Sequence, residues 1–487
     1  MPIFSRCFDM NKKPNVLMIA VDHWPARLLG VAGHPVIKTP TLNTLASNGI
    51  RFTNCYSDCP ICIPARRTLM TGTTPRTHGD RVYSDRMPMP DVPTLAQSFR
   101  DAGYQAYAVG KLHVYPQRNR IGFDDVILAE EARYQFGIVD DYQTWLGENG
   151  YLGKEYLHGM GNNVYYTRPW HLPEEAHSTN WTTREMIRMI KRKDPTKPAF
   201  FYTSYVHPHP PLVPLQCYLD MYNPANIDEP FSGEWTEDDI FPVKAMKHTK
   251  GTYTKDETMA ARRAFYALCT HIDHQLRLLI GTLREEKLLD DTIILFTCDH
   301  GDMLGNHGMY GKQVFYEDSC NVPLIISGKM LEKYQGTIDD RLACLEDIMP
   351  TLLNLCGIQI PETVEGRSLF SETKRDSLFC EISEGDMATR MVRNDRYKLI
   401  YYPVGNYIQL FDLESDPLEE KNLAEVPQYA EIQEKLTAFL ISNLYNGDEI
   451  WAKDGKLVGI PDKEFHIKGD YSFLGQRGGH WPPPIGK

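Results

Sequence analysis

The sequence predicts an α/β protein: a large, mainly parallel sheet sandwiched by helices, then a small antiparallel sheet with one helix. Three observations carry that expectation. Apolar runs of strand length alternate with helix-like segments over most of the chain. Beyond about residue 370, strand-like runs instead follow one another across short turns. The length, 487 residues, accommodates one large domain and a smaller one, expected at 1–370 and 371–487.

Val16–Val21 is the first buried-type strand, and a helix around Leu42–Ser47 follows it. A short helix is expected from Pro64 to Thr71. Pro64 suits the first turn, where its missing N–H costs nothing, and Gly72 suits the stop. The amphipathic segment Thr94–Ala102 leads into a strand at Tyr104–Val109. A helix near Thr182–Lys191 precedes Ala199–Val206, and a long one, Lys255–Lys287, precedes Thr292–Cys298. Val322–Ser327 then precedes a helix at Glu346–Leu355. Such alternation covers a parallel sheet with helices and places ligands at the carboxyl ends of its strands. Ser377–Ile382, Met391–Tyr402 and Tyr407–Leu413 read as strands over turns such as Asn394-Asp395 and Gly405-Asn406, before a helix at Pro427–Leu444. The tail, rich in Gly, Pro and Trp, is expected to be irregular and to wrap back over the main domain.

Composition is that of an ordinary globular chain, 42% hydrophobic, 24% charged and 11% aromatic. The net charge of −12, from 52 basic and 64 acidic residues with no long basic run, argues against a nucleic-acid partner. Eleven cysteines without an even-spaced framework point to reduced thiols. Met1–Asp9 lacks the apolar stretch of a signal peptide, and Val16–Val21 is too short to span a bilayer. A cytoplasmic protein with no membrane partner is therefore expected.

The chemistry concentrates at strand ends. Cys62-Ile63-Pro64-Ala65-Arg66 puts Cys62 at a helix N-terminus, where unpaired N–H groups favour an anion, with Arg66 one turn further in. Val16–Val21 ends in Asp22-His23, and Thr292–Cys298 ends in Asp299-His300-Gly301-Asp302. Paired Asp-His ends suit a divalent cation better than two helix caps. Gly110 leads into Lys111-Leu112-His113, where period two would place Lys111 and His113 on one side of an extended segment. His207-Pro208-His209-Pro210-Pro211 is a proline-stiffened loop, and Gly311-Lys312 lies in a Gly-rich one.

In this order these motifs resemble the sulfatase family of the alkaline phosphatase superfamily. Cys62-Ile63-Pro64-Ala65-Arg66 followed by Thr71-Gly72 is similar to the Cys-x-Pro-x-Arg signature. Gly110-Lys111-Leu112-His113, Pro208-His209-Pro210-Pro211 and the late Lys312 match its Gly-Lys-x-His, Pro-His-x-Pro and lysine positions, so the resemblance covers about residues 14 to 330. The Asp299-His300 form looks most like the branch of choline sulfatases and phosphonate monoester hydrolases. The resemblance implies a hydrolase cleaving a small sulfate ester, of a sugar or another alcohol, to alcohol and inorganic sulfate. It implies that a formylglycine-generating maturation enzyme oxidises Cys62, that the hydrated aldehyde attacks sulfur, and that Asp22, Asp299, His300 and the modified Cys62 surround a divalent cation. Oxygen-rich ligands favour calcium or magnesium, while His300 tilts the site toward manganese or zinc. Arg66, Lys111 and Lys312 would hold sulfate oxygens. His209 would protonate the leaving alcohol with Lys312 as rival donor, His113 would take a proton from the second hydroxyl, and His207 would contact substrate. His23 departs from the family pattern, as a ligand or as a residue lining the pocket.

Two other readings compete. The same site suits a phosphonate monoester hydrolase or phosphodiesterase. Cys55, Cys59 and Cys62 have the Cys-x3-Cys-x2-Cys spacing of radical S-adenosylmethionine iron–sulfur proteins, though no Gly-rich cofactor motif follows.

Overall fold

The computed structural model describes residues 13–131, 139–237, 241, 243–244 and 253–464. Among them, eight strands form one sheet: β1 (Asn15–Val21), β2 (Gly49–Tyr56), β3 (Gln105–Gly110), β4 (Asp125–Leu128), β5 (Ala199–Ser204), β6 (Thr292–Cys298), β7 (Leu324–Ser327) and β8 (Thr337–Cys344). Their order is β4-β3-β5-β1-β6-β7-β2-β8. All neighbours are parallel except at β7, which runs against both β6 and β2. The mainly parallel expectation holds, with one reversed strand.

The central strands β1 and β6 are buried along their whole length, as their unbroken apolar runs demand. Helices cover them for local reasons that the chain spells out. Pro40 opens the helix Pro40–Ser47. Thr94 caps Leu95–Asp101 through the Gln97 N–H at 3.1 Å. Thr254 and Glu257 form a reciprocal capping box at the head of Lys255–Glu285. That long helix packs on Ser178–Arg192, which in turn lies on β3 and β5. None of the helices among the described residues is long and apolar enough to cross a membrane.

Four strands, β9 (Ser377–Ile382), β10 (Thr389–Asn394), β11 (Tyr397–Tyr402) and β12 (Tyr407–Asp412), form a separate antiparallel sheet in the order β12-β11-β10-β9. Period two divides its side chains. Met391, Ile400 and Phe411 join Tyr56 and Cys344 at the large sheet, while Val392, Leu399 and Leu410 join Leu436 and Leu440 of the helix Ala430–Asn443. The small sheet is thus packed on both faces.

Three strands were not legible in the sequence. β4 is a four-residue edge, β8 is an edge carrying Asp339, Asp340 and Arg341, and β2 alternates buried and half-buried positions. The expected strand at Val322 begins instead at Leu324, after Pro323, which has no N–H for the ladder. In the tail, Asp448 accepts from Arg81 and Arg390, and Ala452–Lys453 pairs with Lys456–Leu457; the rest, 465–487, lies outside the described residues.

Buried neutral histidines make the fold acid-sensitive. His177 caps Ser178–Arg192 by accepting from the Thr179 N–H at 3.2 Å, and burial pulls its imidazole down to about 4. His78 is pulled down to about 3 by burial and by Arg67. Between pH 6.5 and 4 the unfolded chain binds protons that these folded sites refuse, so stability falls as pH falls through that window. By pH 5 each such histidine costs roughly 2 kcal/mol. Urea unfolding at pH 7 and pH 5 is expected to show that loss, and His177→Asn, which keeps a capping oxygen, is expected to flatten it.

Candidate active site

The strands β3, β5, β1 and β6 are neighbours, and their carboxyl ends bring the motifs together. Asp22-His23 and Asp299-His300 leave side by side, because Val21 pairs with Cys298. Gly301 is held close to the Asp318 carbonyl, leaving no room for a Cβ.

Cys62 is the first residue of the helix Cys62–Thr71, and its side chain is buried against both strand ends. Its Sγ lies 3.1 Å from His300 Nε2 and 3.8 Å from Asp22 Oδ1. Gly72 ends the helix at φ 63°, its N–H donating to the Thr68 carbonyl at 2.8 Å. Burial and the Asp22 charge push the Cys62 thiol up to about 11, against the pull of Lys111 and Lys312. At neutral pH such a thiol is protonated and a weak nucleophile.

Arg66 spreads its guanidinium over three elements. Nε donates to Asp299 Oδ2 at 2.8 Å, and Nη1 donates to the Lys111 carbonyl at 2.9 Å and to Ser204 Oγ at 2.8 Å. Nη2 finds no hydrogen-bond acceptor among the described residues and lies 3.6 Å from Asp22 Oδ2. Nη2 is thus a buried cationic N–H with spare donor capacity beside Asp22, the carboxylate that Cys62 Sγ also faces.

Lys111 Nζ bridges Asp22 Oδ2 and Glu131 Oε1. Burial pulls its ammonium down, but Asp22, Cys62 and Glu131 more than compensate and keep it protonated. It is delivered by Gly110, whose φ of 106° and contact with the Ser204 carbonyl exclude any Cβ. Gly110→Ala is expected to destabilise the fold by at least about 3 kcal/mol, read from thermal or urea unfolding, because both strain and overlap fall on backbone.

The extended geometry expected over Lys111–His113 is not found. His113 turns to φ 63° so that its N–H, like that of Leu112, donates to the Glu130 carboxylate. Its ring stands edge-on to Tyr83 at 6.0 Å.

His209 Nε2 lies 3.4 Å from Lys312 Nζ and 4.0 Å from Glu131 Oε1. His207 Nδ1 faces the His209 carbonyl at 3.2 Å, with its ring against His177. Lys312 Nζ also donates to His23 Nε2 at 2.5 Å, so the His23 proton sits on Nδ1 and is donated to Asp302 Oδ2 at 2.6 Å. Burial and the Lys312 charge hold His23 well below the ordinary imidazole range. His23 thus lines the site between Lys312 and Asp302.

Burial would raise Asp22, but Lys111 and the surrounding histidines hold its carboxyl well below the usual range. His300 is lowered, mainly by burial, and its Nδ1 faces the Gly301 carbonyl at 3.1 Å. That contact turns the Nε2 lone pair toward Asp22 and Cys62. Asp22, His23, Cys62 and His300 bring one possible donor atom each within 4.8 Å of one another, and of these His23 is already engaged at both nitrogens by Lys312 and Asp302. An ionised carboxylate and a neutral, oriented imidazole are a donor set that fits a divalent cation. Asp299 is not in this closest group: Arg66 engages Oδ2, while Oδ1 accepts from the His300 N–H at 2.9 Å and lies 3.8 Å from His300 Nε2.

Sequence reasoning missed Glu131, which follows the unrecognised strand β4, and Tyr165, which donates to Asp302 from a distant loop. Asp302 was visible in the Asp-His-Gly-Asp run but without a role. The spacing of Cys55, Cys59 and Cys62 assembles no iron–sulfur ligand set. Among the described residues the three thiols share no donor cluster, Cys59 Sγ facing the Arg81 carbonyl while Cys62 faces Asp22.

Comparison with known proteins identifies the family. Residues 14–358 match the family model described as Sulfatase, and residues 305–445 match that of the N-sulphoglucosamine sulphohydrolase C-terminal region. An arylsulfatase of Clostridium perfringens is 36% identical over 468 residues, covering 92% of this chain and 97% of its own. A choline-sulfatase of Rhizobium meliloti is 31% identical, covering 88% and 85%. In fold, the chain is similar to the crystal structure of a phosphonate monoester hydrolase of Agrobacterium radiobacter, with TM-score 0.77, 24% identity, and coverage of 88% and 95%.

Proposed function

Since the chain belongs to the sulfatase family of the alkaline phosphatase superfamily and is a sulfuric ester hydrolase, we propose that Cys62, oxidised to formylglycine by a maturation enzyme, is its nucleophilic position. A divalent cation, calcium in first place, is held by Asp22, His300 and Asp299 beside it. The observation that carries this reading is the Cys62 environment: Sγ lies buried at the helix start, 3.1 Å from His300 Nε2 and 3.8 Å from Asp22 Oδ1, and Arg66 Nη2 stands 3.6 Å from the same Asp22 carboxylate. As a thiol the residue is inert there; as a hydrated aldehyde it would offer one hydroxyl to attack sulfur and a second to expel sulfate. The cation supplies charge neutralisation at that position.

The chain's own residues supply the rest. Arg66 Nη2 donates to a sulfate oxygen, and Lys111, released from part of its grip on Asp22, donates to another. Lys312 and His209, 3.4 Å apart, sit together as the proton source for the leaving alcohol. His113 takes the proton from the second hydroxyl, and His207 contacts substrate. The substrate is a small sulfated alcohol, a class to which the arylsulfatase and choline-sulfatase relatives point. The unpaired thiols of the described cysteines suit a reducing compartment such as the cytoplasm.

The test is a mass spectrum of the Cys62 peptide from protein co-expressed with a formylglycine-generating enzyme. A mass loss matching thiol replaced by aldehyde is expected, together with turnover of an aryl sulfate exceeding that of an aryl phosphonate monoester. Full turnover by protein whose Cys62 is wholly thiol would overturn the reading.

A further inference from the structure

A second group of metal-type donors lies away from the catalytic centre, where the large sheet meets the small one. Asp58 follows β2, Cys344 ends β8 and Cys380 lies in β9. The three can each offer one donor atom, all within 4.8 Å of one another, and each residue is at most 2% exposed. The site is framed by backbone. Tyr56 pairs with Cys344 in register, and the Glu381 N–H, next to Cys380, donates to the Asp58 carbonyl at 2.9 Å.

Two buried oxygens here have no hydrogen-bond partner, Asp58 Oδ2 and Glu346 Oε2. A buried carboxylate oxygen left unsatisfied is costly. Arg375 binds Glu346 through Oε1 and also binds Asp347. Asp347 is satisfied further by the Cys344 N–H at 2.8 Å and the Arg367 N–H at 2.6 Å. The Arg375 guanidinium therefore faces Asp58, Glu346, Asp347 and Cys344, while Lys398 acts on Cys380. Burial pushes the Asp58 carboxyl up to about 7 and raises Glu346 and Cys344 well above their ordinary values. The cluster is short of positive charge.

We propose that Asp58, Cys344 and Cys380 bind a structural zinc-type cation. Two thiolates with a carboxylate are a soft, mixed donor set that selects zinc-like ions over calcium or magnesium. Binding displaces one proton from each thiol to solvent, forms two metal–sulfur bonds and one metal–oxygen bond, and changes no oxidation state. The ion pins the carboxyl ends of β2 and β8 to the small sheet. Asp58 is also joined by a short loop to the helix that begins at Cys62. The site is independent of the catalytic reading, since it shares no ligand with Asp22 or His300.

Cobalt(II) reports the site directly. It is added to metal-stripped, full-length protein carrying Cys62→Ala, so that no catalytic thiol contributes. A near-ultraviolet sulfur-to-cobalt charge-transfer band saturating at about one cobalt per chain is expected. Cys344→Ser and Cys380→Ser are each expected to lose at least half of the band, and zinc is expected to displace it while raising the thermal midpoint. The first reading is made with the cluster intact, so it does not depend on those variants folding. No band in the folded Cys62→Ala protein, a band undiminished in Cys380→Ser, or a Cys344–Cys380 disulfide in peptide mapping would each overturn the proposal.

Discussion

Cys62→Ala is expected to abolish sulfate ester hydrolysis while leaving the protein folded. The two halves of that expectation have separate physical grounds. The side chain contributes one sulfur atom to a polar, buried site, and its contacts are with His300 and Asp22 rather than with the apolar core. Losing it removes a thiol pushed up to about 11 from beside a carboxylate, so the cost in stability stays near 1 kcal/mol. The helix keeps Pro64 in its first turn and its stop at Gly72. Activity has no such reserve. Removing the proposed nucleophile eliminates the proposed reaction path, and a loss of at least about a thousand-fold is expected. Circular dichroism and the thermal midpoint should stay close to those of the unsubstituted protein while aryl sulfate turnover disappears. Cys62→Ser should fail equally in a host whose maturation enzyme reads only cysteine, because serine supplies one hydroxyl and no second one to expel sulfate. Retention of more than a few per cent of activity in Cys62→Ala would remove Cys62 from the reaction.

The parts of the site legible in the sequence are those specified locally. The Cys62 helix carries Pro64 in its first turn and stops at Gly72, both acting through their own backbones, although it begins at Cys62, two residues before the expected start. Asp22-His23 and Asp299-His300 announce themselves because each follows a strand too apolar to be anything but central. What escaped is specified by pairing between distant segments. Glu131 matters because it shares Lys111 with Asp22, which depends on the edge strand β4 lying beside β3. The tautomer of His23 depends on Lys312 and Asp302, almost three hundred residues away in sequence. His113 leaves the extended path for a local reason of another kind, the Glu130 carboxylate waiting for two consecutive N–H groups. The Cys55, Cys59, Cys62 spacing misled for the opposite reason. It is a regular pattern in the chain, but β2, a turn and a helix start point the thiols to different places. The cysteines that do converge, Cys344 and Cys380, have no common motif and meet only when the two sheets pack.

Arg66 gives the largest combined effect on fold and activity. Its guanidinium neutralises Asp299, ties the Lys111 carbonyl to Ser204, and still holds Nη2 without a hydrogen-bond acceptor, 3.6 Å from Asp22 Oδ2. Burial alone would lower its pKa, but Asp299 and the groups around it raise it well above the ordinary value, so the charge is permanent. Arg66→Ala leaves Asp299 charged and unpaired in a buried pocket, which is expected to destabilise the protein by roughly 3–5 kcal/mol. The accompanying loss in kcat/KM is expected to exceed about a hundred-fold, the typical cost of removing one preorganised donor to developing charge. Arg66→Lys separates the two roles. An ammonium can answer Asp299, so much of the stability should return. It cannot reproduce a planar fork that reaches Asp299, the Lys111 carbonyl, Ser204 and a sulfate oxygen at once. Urea unfolding should therefore place Arg66→Lys near the unsubstituted protein, while steady-state kinetics place it near Arg66→Ala. If Arg66 served only to brace Asp299, the lysine variant would recover activity in step with stability, and the assignment of Nη2 to the substrate would fall.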